Sequence, residues 1–270
     1  MEYLQNFNYK ILGNLQSEKY LVFLHGLMGS GINWSSIAKL FAEDYQILIY
    51  DQRGHGRSFQ PQEGYHPNDY AEDLYKILRE LDWDKINLVG HSMGGRNALS
   101  FAQLYPDSLQ KLVIEDISPS IKIDAIEPMR NLINSVPVPF TNKKESQQFF
   151  KTEFLKQFEN QEEAQVFAQF FQMNIIEKRT GVADWRCFKP GILQTLEAGR
   201  RQDAWPIVAG LSMPSLFIFG ENSAEYDKEE ESRLLTHSNI KTHCISNSGH
   251  WVHFDQAKEF VTVLQSFLRE

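Results

Sequence analysis

The sequence predicts an α/β fold with a mostly parallel central sheet. Three observations carry this. First, short and largely apolar runs recur along the chain, at Tyr20–Leu24, Gln46–Tyr50, Ile86–Val89, Leu112–Ile114 and Ser215–Phe219. Such runs suit strands covered on both faces. Second, helix-forming segments separate them, which makes βαβ units. Third, the unusual residues sit where those strands end: His25-Gly26, Asp51, Ser92 and Asp116 each follow an apolar run. Open α/β sheets bind ligands just beyond the carboxyl ends of their strands.

Bulk properties narrow the class. The 270 residues suffice for one sizeable α/β domain, or one domain with an insert. Hydrophobic residues make up 42% and charged residues 23%, a globular balance that excludes a disordered chain. A net charge of −8 argues against nucleic acid or an anionic membrane as the main partner. The two cysteines, Cys187 and Cys244, lie far apart with no CxxC spacing. That argues against a disulfide framework or a zinc site and points to a reducing, cytoplasmic compartment. The opening Met1-Glu2-Tyr3-Leu4-Gln5-Asn6 has neither the basic nor the apolar region of a secretion signal, and no apolar run reaches membrane-span length.

In chain order, Phe7 to Leu12 reads as an edge strand, and Tyr20–Leu24 as a buried strand ending in the glycine-rich His25-Gly26-Leu27-Met28-Gly29-Ser30-Gly31. Asn33 to Phe41 reads as a helix, and Gln46–Tyr50 as the next strand. Asn68 or Asp69 can cap a helix through Leu81, with Tyr70, Leu74, Ile77, Leu78 and Leu81 on one face. A strand to Gly90 and a helix to Tyr105 follow, the latter stopped by Pro106. After Leu112–Ile114 the character changes. Strand signals vanish until Pro214, and Ile123–Val136, Glu145–Glu159, Glu162–Ile176 and Gly191–Arg201 read as helices. Phe150, Phe154 and Phe158, then Phe167, Phe170, Phe171 and Ile175, recur at helical spacing. The division is therefore a core of 1–118 and 209–270 with a helical cap over 119–208. The phenylalanine stripe packs the cap, and part of it is a candidate wall for an acyl chain. Ser215–Phe219, a helix over Glu229–Thr236, a strand over Lys241–Ile245 and a closing amphipathic helix over Ala257–Leu268 complete the chain.

The chemistry centres on Gly90-His91-Ser92-Met93-Gly94. Five such residues alone can be a plain turn. Between an apolar strand and a helix they form G-x-S-x-G, the nucleophile elbow, which holds a strained serine out at the sheet edge. A serine hydroxyl is inert near neutral pH without an imidazole in reach. Of the eight histidines, His250 follows the last strand after a glycine and completes the chain order Ser…Asp/Glu…His. His253 is the alternative, but it begins the next helix. The orienting acid is Asp116 first and Glu221 second. The loop after Ser215–Phe219 reads Gly220-Glu221-Asn222-Ser223, with no aspartate before Asp227. Glu115 alternates to the other face if its strand continues. Backbone N–H groups of Met93 and Leu27 are the candidate oxyanion donors.

Together, His25-Gly26-Leu27-Met28-Gly29-Ser30, Asp51-Gln52-Arg53-Gly54-His55-Gly56-Arg57-Ser58, Gly90-His91-Ser92-Met93-Gly94-Gly95 and Gly249-His250-Trp251 resemble the α/β-hydrolase superfamily. More narrowly, Glu115-Asp116-Ile117-Ser118-Pro119, Gly220-Glu221-Asn222-Ser223 and Gly249-His250-Trp251-Val252-His253 resemble small bacterial carboxylesterases of the YbfF type and their mitochondrial relatives. The resemblance implies the α/β-hydrolase fold with a helical cap inserted after the sixth strand, no cofactor and no metal. It implies hydrolysis of short-to-medium acyl esters or thioesters, and it favours an acid on the earlier strand, hence Asp116. Carbon–carbon bond hydrolysis or perhydrolysis on the same residues is the rival chemistry. A small-ligand-binding module without turnover is the rival class.

Overall fold

The computed structural model describes residues 2–270. In chain order its elements are β1 (Tyr9–Gly13), β2 (Tyr20–Leu24), α1 (Ser35–Lys39), β3 (Gln46–Tyr50), α2 (Pro67–Leu81), β4 (Ile86–His91), α3 (Met93–Leu104) and β5 (Leu109–Glu115). Then come α4 (Ile126–Asn134), α5 (Lys143–Lys151), α6 (Gln161–Met173), β6 (Ile175–Glu177), β7 (Ala183–Trp185), α7 (Lys189–Arg201) and α8 (Trp205–Ala209). The chain closes with β8 (Ser215–Gly220), α9 (Lys228–Leu234), β9 (Ile240–Ile245), α10 (Val252–Asp255) and α11 (Ala257–Arg269).

Seven strands form one sheet in the order β1-β3-β2-β4-β5-β8-β9. β1 runs antiparallel to β3, and every other pairing is parallel. The period of two along each strand explains the two-layer core. Val22, Leu48, Leu88, Leu112 and Phe217 face one side, where α2, α3 and α8 pack. Leu21, Phe23, Ile47, Ile49, Val89, Val113 and Ile218 face the other, against Trp34 and α11. Phe260, Leu264, Phe267 and Leu268 give α11 its apolar stripe at helical spacing. Truncating the fully buried Phe260 to alanine should cost about 3–5 kcal/mol.

Several details depart from the sequence reading. The helical segment follows the fifth strand of the chain, not the sixth, because only β1 precedes β2. Within that segment, β6 and β7 pair antiparallel, with Ile175 opposite Trp185, so strand signals do not vanish there. The cap of α2 is His66, not Asn68 or Asp69. Its Nδ1 accepts the Asn68 N–H at 3.2 Å while Asp69 accepts the His66 N–H at 2.8 Å, with Pro67 opening the helix. The helix read over Glu145–Glu159 is shorter, and the chain turns through a 3-10 segment at Phe154–Gln157.

Phe150, Phe154, Phe171, Trp185 and Ile192 bury one another in an apolar cluster separate from the two sheet faces, joined by Met28 from the loop after β2. Trp205, Ile207 and Val208 belong instead to the core on the α3 side of the sheet. Cys187 and Cys244 are free thiols. No helix among the described residues is long and apolar enough to cross a membrane.

Candidate active site

β4 is buried along its whole length and delivers the chain to Ser92, where it turns sharply. Ser92 has φ 52° and ψ −119°, in the left-handed half of backbone space, and α3 begins at the next residue. Such a conformation costs a non-glycine residue roughly 1–3 kcal/mol and persists only where its surroundings enforce it. Here they do. The Ser92 N–H donates to the Glu115 carbonyl at 2.9 Å, and the Ser92 carbonyl accepts from the N–H groups of Gly95 and Arg96. The flanking glycines are required by close approach. A Cβ on Gly90 would lie 2.3 Å from the Gly94 carbonyl oxygen, and one on Gly94 would lie 2.5 Å from that of Leu24.

Two other strands, the adjacent β5 and the edge strand β9, supply the other members. β5 ends at Glu115, and Asp116 turns out of the sheet with φ 53°, held by its N–H to the Ile218 carbonyl at 2.8 Å. The loop after β9 carries His250. Its Nε2 lies 2.8 Å from Ser92 Oγ, and its Nδ1 lies 2.7 Å from Asp116 Oδ2. The structure thus brings Ser92, His250 and Asp116 into one hydrogen-bonded chain. With Nδ1–H donating to Asp116, Nε2 is left to accept the Ser92 hydroxyl proton. Burial disfavours the His250 imidazolium, but the Asp116 carboxylate beside it outweighs burial and raises its pKa above the ordinary 6.5.

The fully buried Asp116 is itself satisfied. Its Oδ1 accepts the Gly220 N–H at 3.0 Å, and the Ser223 hydroxyl donates to Oδ2. The sequence offers Glu221 in the loop after β8 only as the second candidate acid, and it does not reveal that this loop supplies donors to Asp116. The polar run Gly220-Glu221-Asn222-Ser223 at the sheet edge was the available signal. Glu221 is not brought to His250; it is exposed and accepts the Asn247 N–H at 3.2 Å. Asp227 caps α9 through the N–H groups of Glu229 and Glu230. His253 faces Glu115 instead of Ser92, with Nδ1 at 2.8 and 2.9 Å from the two carboxylate oxygens.

The loop after β2 closes the site. A Cβ on Gly26 would come within 3.3 Å of Ser92 Cβ, so this loop runs directly against the serine. Leu27 packs on the cluster of Tyr65, Tyr70 and Met93. Met93 opens α3, so its N–H has no partner within the helix and lies at the positive end of the dipole.

Trp251, next to His250, joins the site to the helical segment. Its ring lies 5.5 Å from His250, 5.3 Å from Phe170 and 6.2 Å from Phe167. Phe167 stacks on Phe158, and both line a cleft of about 340 Å³ with Pro128, Met129 and Leu132. Phe170 borders a larger cleft of about 690 Å³ that also takes in Ser30 and Asn33. The phenylalanine stripe therefore divides. Phe154 and Phe171 are fully buried packing, whereas Phe158, Phe167 and Phe170 reach the clefts.

A seven-stranded α/β sheet with serine, histidine and aspartate hydrogen-bonded at its carboxyl edge is the architecture of a hydrolase. The chain matches the sequence model of the alpha/beta hydrolase fold family over residues 19–257 and belongs to that family. It is 32% identical to the sn-1-specific diacylglycerol lipase ABHD11 of Mus musculus over 97% of this chain and 84% of that one. It is 26% identical to the esterase YbfF of Escherichia coli (strain K12), covering 95% of this chain and 96% of the relative. A solved marine microorganism esterase superposes with a TM-score of 0.84 at 27% identity, over 97% of this chain and 98% of the other.

Proposed function

We propose that this hydrolase is a carboxylesterase that cleaves short-to-medium acyl esters or thioesters through an acyl-Ser92 intermediate. The observation that carries the reading is the continuous chain from Ser92 Oγ to His250 Nε2 at 2.8 Å and from His250 Nδ1 to Asp116 at 2.7 Å. In this reading Ser92 is the nucleophile, His250 the base and then the acid, and Asp116 the group that orients the imidazole.

Oγ attacks the acyl carbon as its proton passes to Nε2. The carbonyl π pair moves onto oxygen, and the N–H groups of Met93 and Leu27 receive the oxyanion. One such donor is worth on the order of 3–4 kcal/mol of barrier. The imidazolium returns its proton to the departing oxygen or sulfur as the acyl–heteroatom bond breaks. Water, deprotonated by the same Nε2, then attacks the acyl-serine, releases the acid and restores the Ser92 hydroxyl. No step needs a metal or cofactor.

The cleft of Pro128, Met129, Leu132, Phe158 and Phe167 is apolar apart from Asn131 and Gln157, which suits an acyl chain. In this reading residues 119–208 form a cap over a core of 1–118 and 209–270, with α8 seated on that core. Two free thiols support a reducing, cytoplasmic setting. The test is hydrolysis of p-nitrophenyl butyrate by wild type and Ser92→Ala. The reading requires turnover by the former and a loss of several orders of magnitude in the latter. Equal rates would overturn it, and a panel with carbon–carbon and perhydrolysis substrates separates the rival chemistries.

A further inference from the structure

Beside the Ser92–His250–Asp116 chain lies a second carboxylate–histidine pair that the proposed mechanism does not use. Glu115 and Asp116 are neighbours at the end of β5, and each holds a histidine of the same turn. Asp116 takes His250, and Glu115 takes His253 three residues later. The Glu115 carboxylate is completely buried, and it accepts both the backbone N–H and the Nδ1–H of His253 at 2.8 Å. The far face of the His253 ring is closed by Trp34, stacked at 4.2 Å. His91, opposite Glu115 in the sheet register, donates Nε2–H to the His250 carbonyl at 2.8 Å.

We propose that Glu115 is a positioning residue for His250: its buried carboxylate pins the 250–253 turn to the end of β5 and so sets the distance from Nε2 to Ser92. The proposal rests on the reading of His250 as the base. Glu115 is suited to this because its two ends hold both partners. Its carbonyl accepts the Ser92 N–H at 2.9 Å, while its carboxylate holds the turn that carries the imidazole. One residue therefore fixes nucleophile and base against each other. Burying a carboxylate here costs several kcal/mol unless it is paired. The His253 contacts supply that pairing; they outweigh burial and hold the Glu115 carboxyl below its ordinary pKa. His91, Glu115 and His253 also have donor atoms within 4.8 Å of one another, close enough to suggest a metal site. In this structure His253 Nδ1 and both Glu115 oxygens are hydrogen-bonded to each other, and His91 Nε2 to the His250 carbonyl.

The experiment compares steady-state kinetics and thermal unfolding of wild type, Glu115→Leu, Glu115→Gln, His253→Phe and Ser92→Ala. A misplacement near 1 Å costs about 100-fold, so Glu115→Leu should lower kcat by roughly 10- to 100-fold in folded protein, with KM within about twofold. Glu115→Gln keeps an acceptor for the His253 N–H and should recover most of the loss. A merely structural role would lower the unfolding temperature and leave kcat per folded molecule unchanged. That result, or a Glu115→Leu kcat within twofold of wild type, overturns the proposal. Should Glu115→Leu not fold, His253→Phe carries the test. It keeps a ring against Trp34 and removes the Nδ1 bond, and an unaltered kcat there is equally contrary. Activity retained by Ser92→Ala would overturn the functional reading itself, whereas an inactive Ser92→Ala beside a fully active Glu115→Leu overturns only the positioning role.

Discussion

Asp116 Oδ2 lies 2.7 Å from His250 Nδ1, across 134 residues of chain and from the last turn of a strand beside the serine-bearing one. That contact fixes which ring nitrogen carries a proton. Asp116→Asn should therefore present an amide N–H to Nδ1, favour the wrong tautomer and lower kcat about 10⁴-fold with the fold intact. Glu221→Gln should leave kcat unchanged. Steady-state rates with p-nitrophenyl butyrate check both, and the reverse pattern would move the acid to Glu221.

The pH profile follows from the same contact. In the proposed mechanism His250 must be neutral to accept the serine proton, and Asp116 raises its pKa above 6.5. Activity should thus fall with decreasing pH through an inflection above 6.5, seen in kcat/KM. Ser223→Ala removes one donor from the Asp116 carboxylate and leaves its other partners. The inflection should move upward, because a less shared carboxylate holds the imidazolium more tightly. A downward move would contradict this assignment of Ser223.

Acid stability reports two other histidines. Burial lowers the pKa of His55 and of His91 from 6.5 to about 3, so both are neutral in the folded chain near neutral pH. The unfolded chain binds protons there between pH 6.5 and 3 and the folded chain does not. The contribution of these two groups to stability is complete above pH 6.5 and is lost as pH falls toward 3. His55→Phe should flatten this acid limb by about 1.4 kcal/mol per pH unit, measured by urea unfolding at several pH values.

Chain-length preference tests the smaller cleft. Leu132→Trp should fill part of the cleft that it lines with Met129 and Phe167. Hydrolysis of octanoyl esters should then drop at least about tenfold in kcat/KM, while acetyl esters are spared. An equal loss on both would place the acyl chain elsewhere.

Much of this was legible in the sequence because the sheet edge concentrates chemistry. The elbow needs Gly90 and Gly94 for backbone approach, and the buried strands need unbroken apolar runs; both leave marks in local composition. Asp116 was readable from its place at a strand end. Less legible were features set by contacts across the chain. His66 carries no motif, yet it caps α2 because Pro67 fixes the first helical residue behind it. β6 and β7 are too short to show a period of two, and their pairing depends on the turn between them. Ser223 and Glu115 act through partners more than 100 residues away, which spacing within one segment does not encode.

The proposed chemistry requires a transient ester bond to one hydroxyl, that of Ser92. Wild-type protein mixed with p-nitrophenyl butyrate, quenched in acid within milliseconds and digested for mass spectrometry, should carry a butyryl group on the peptide containing Ser92. A butyryl group on another residue, or unmodified Ser92 in an enzyme that is turning over, would contradict it.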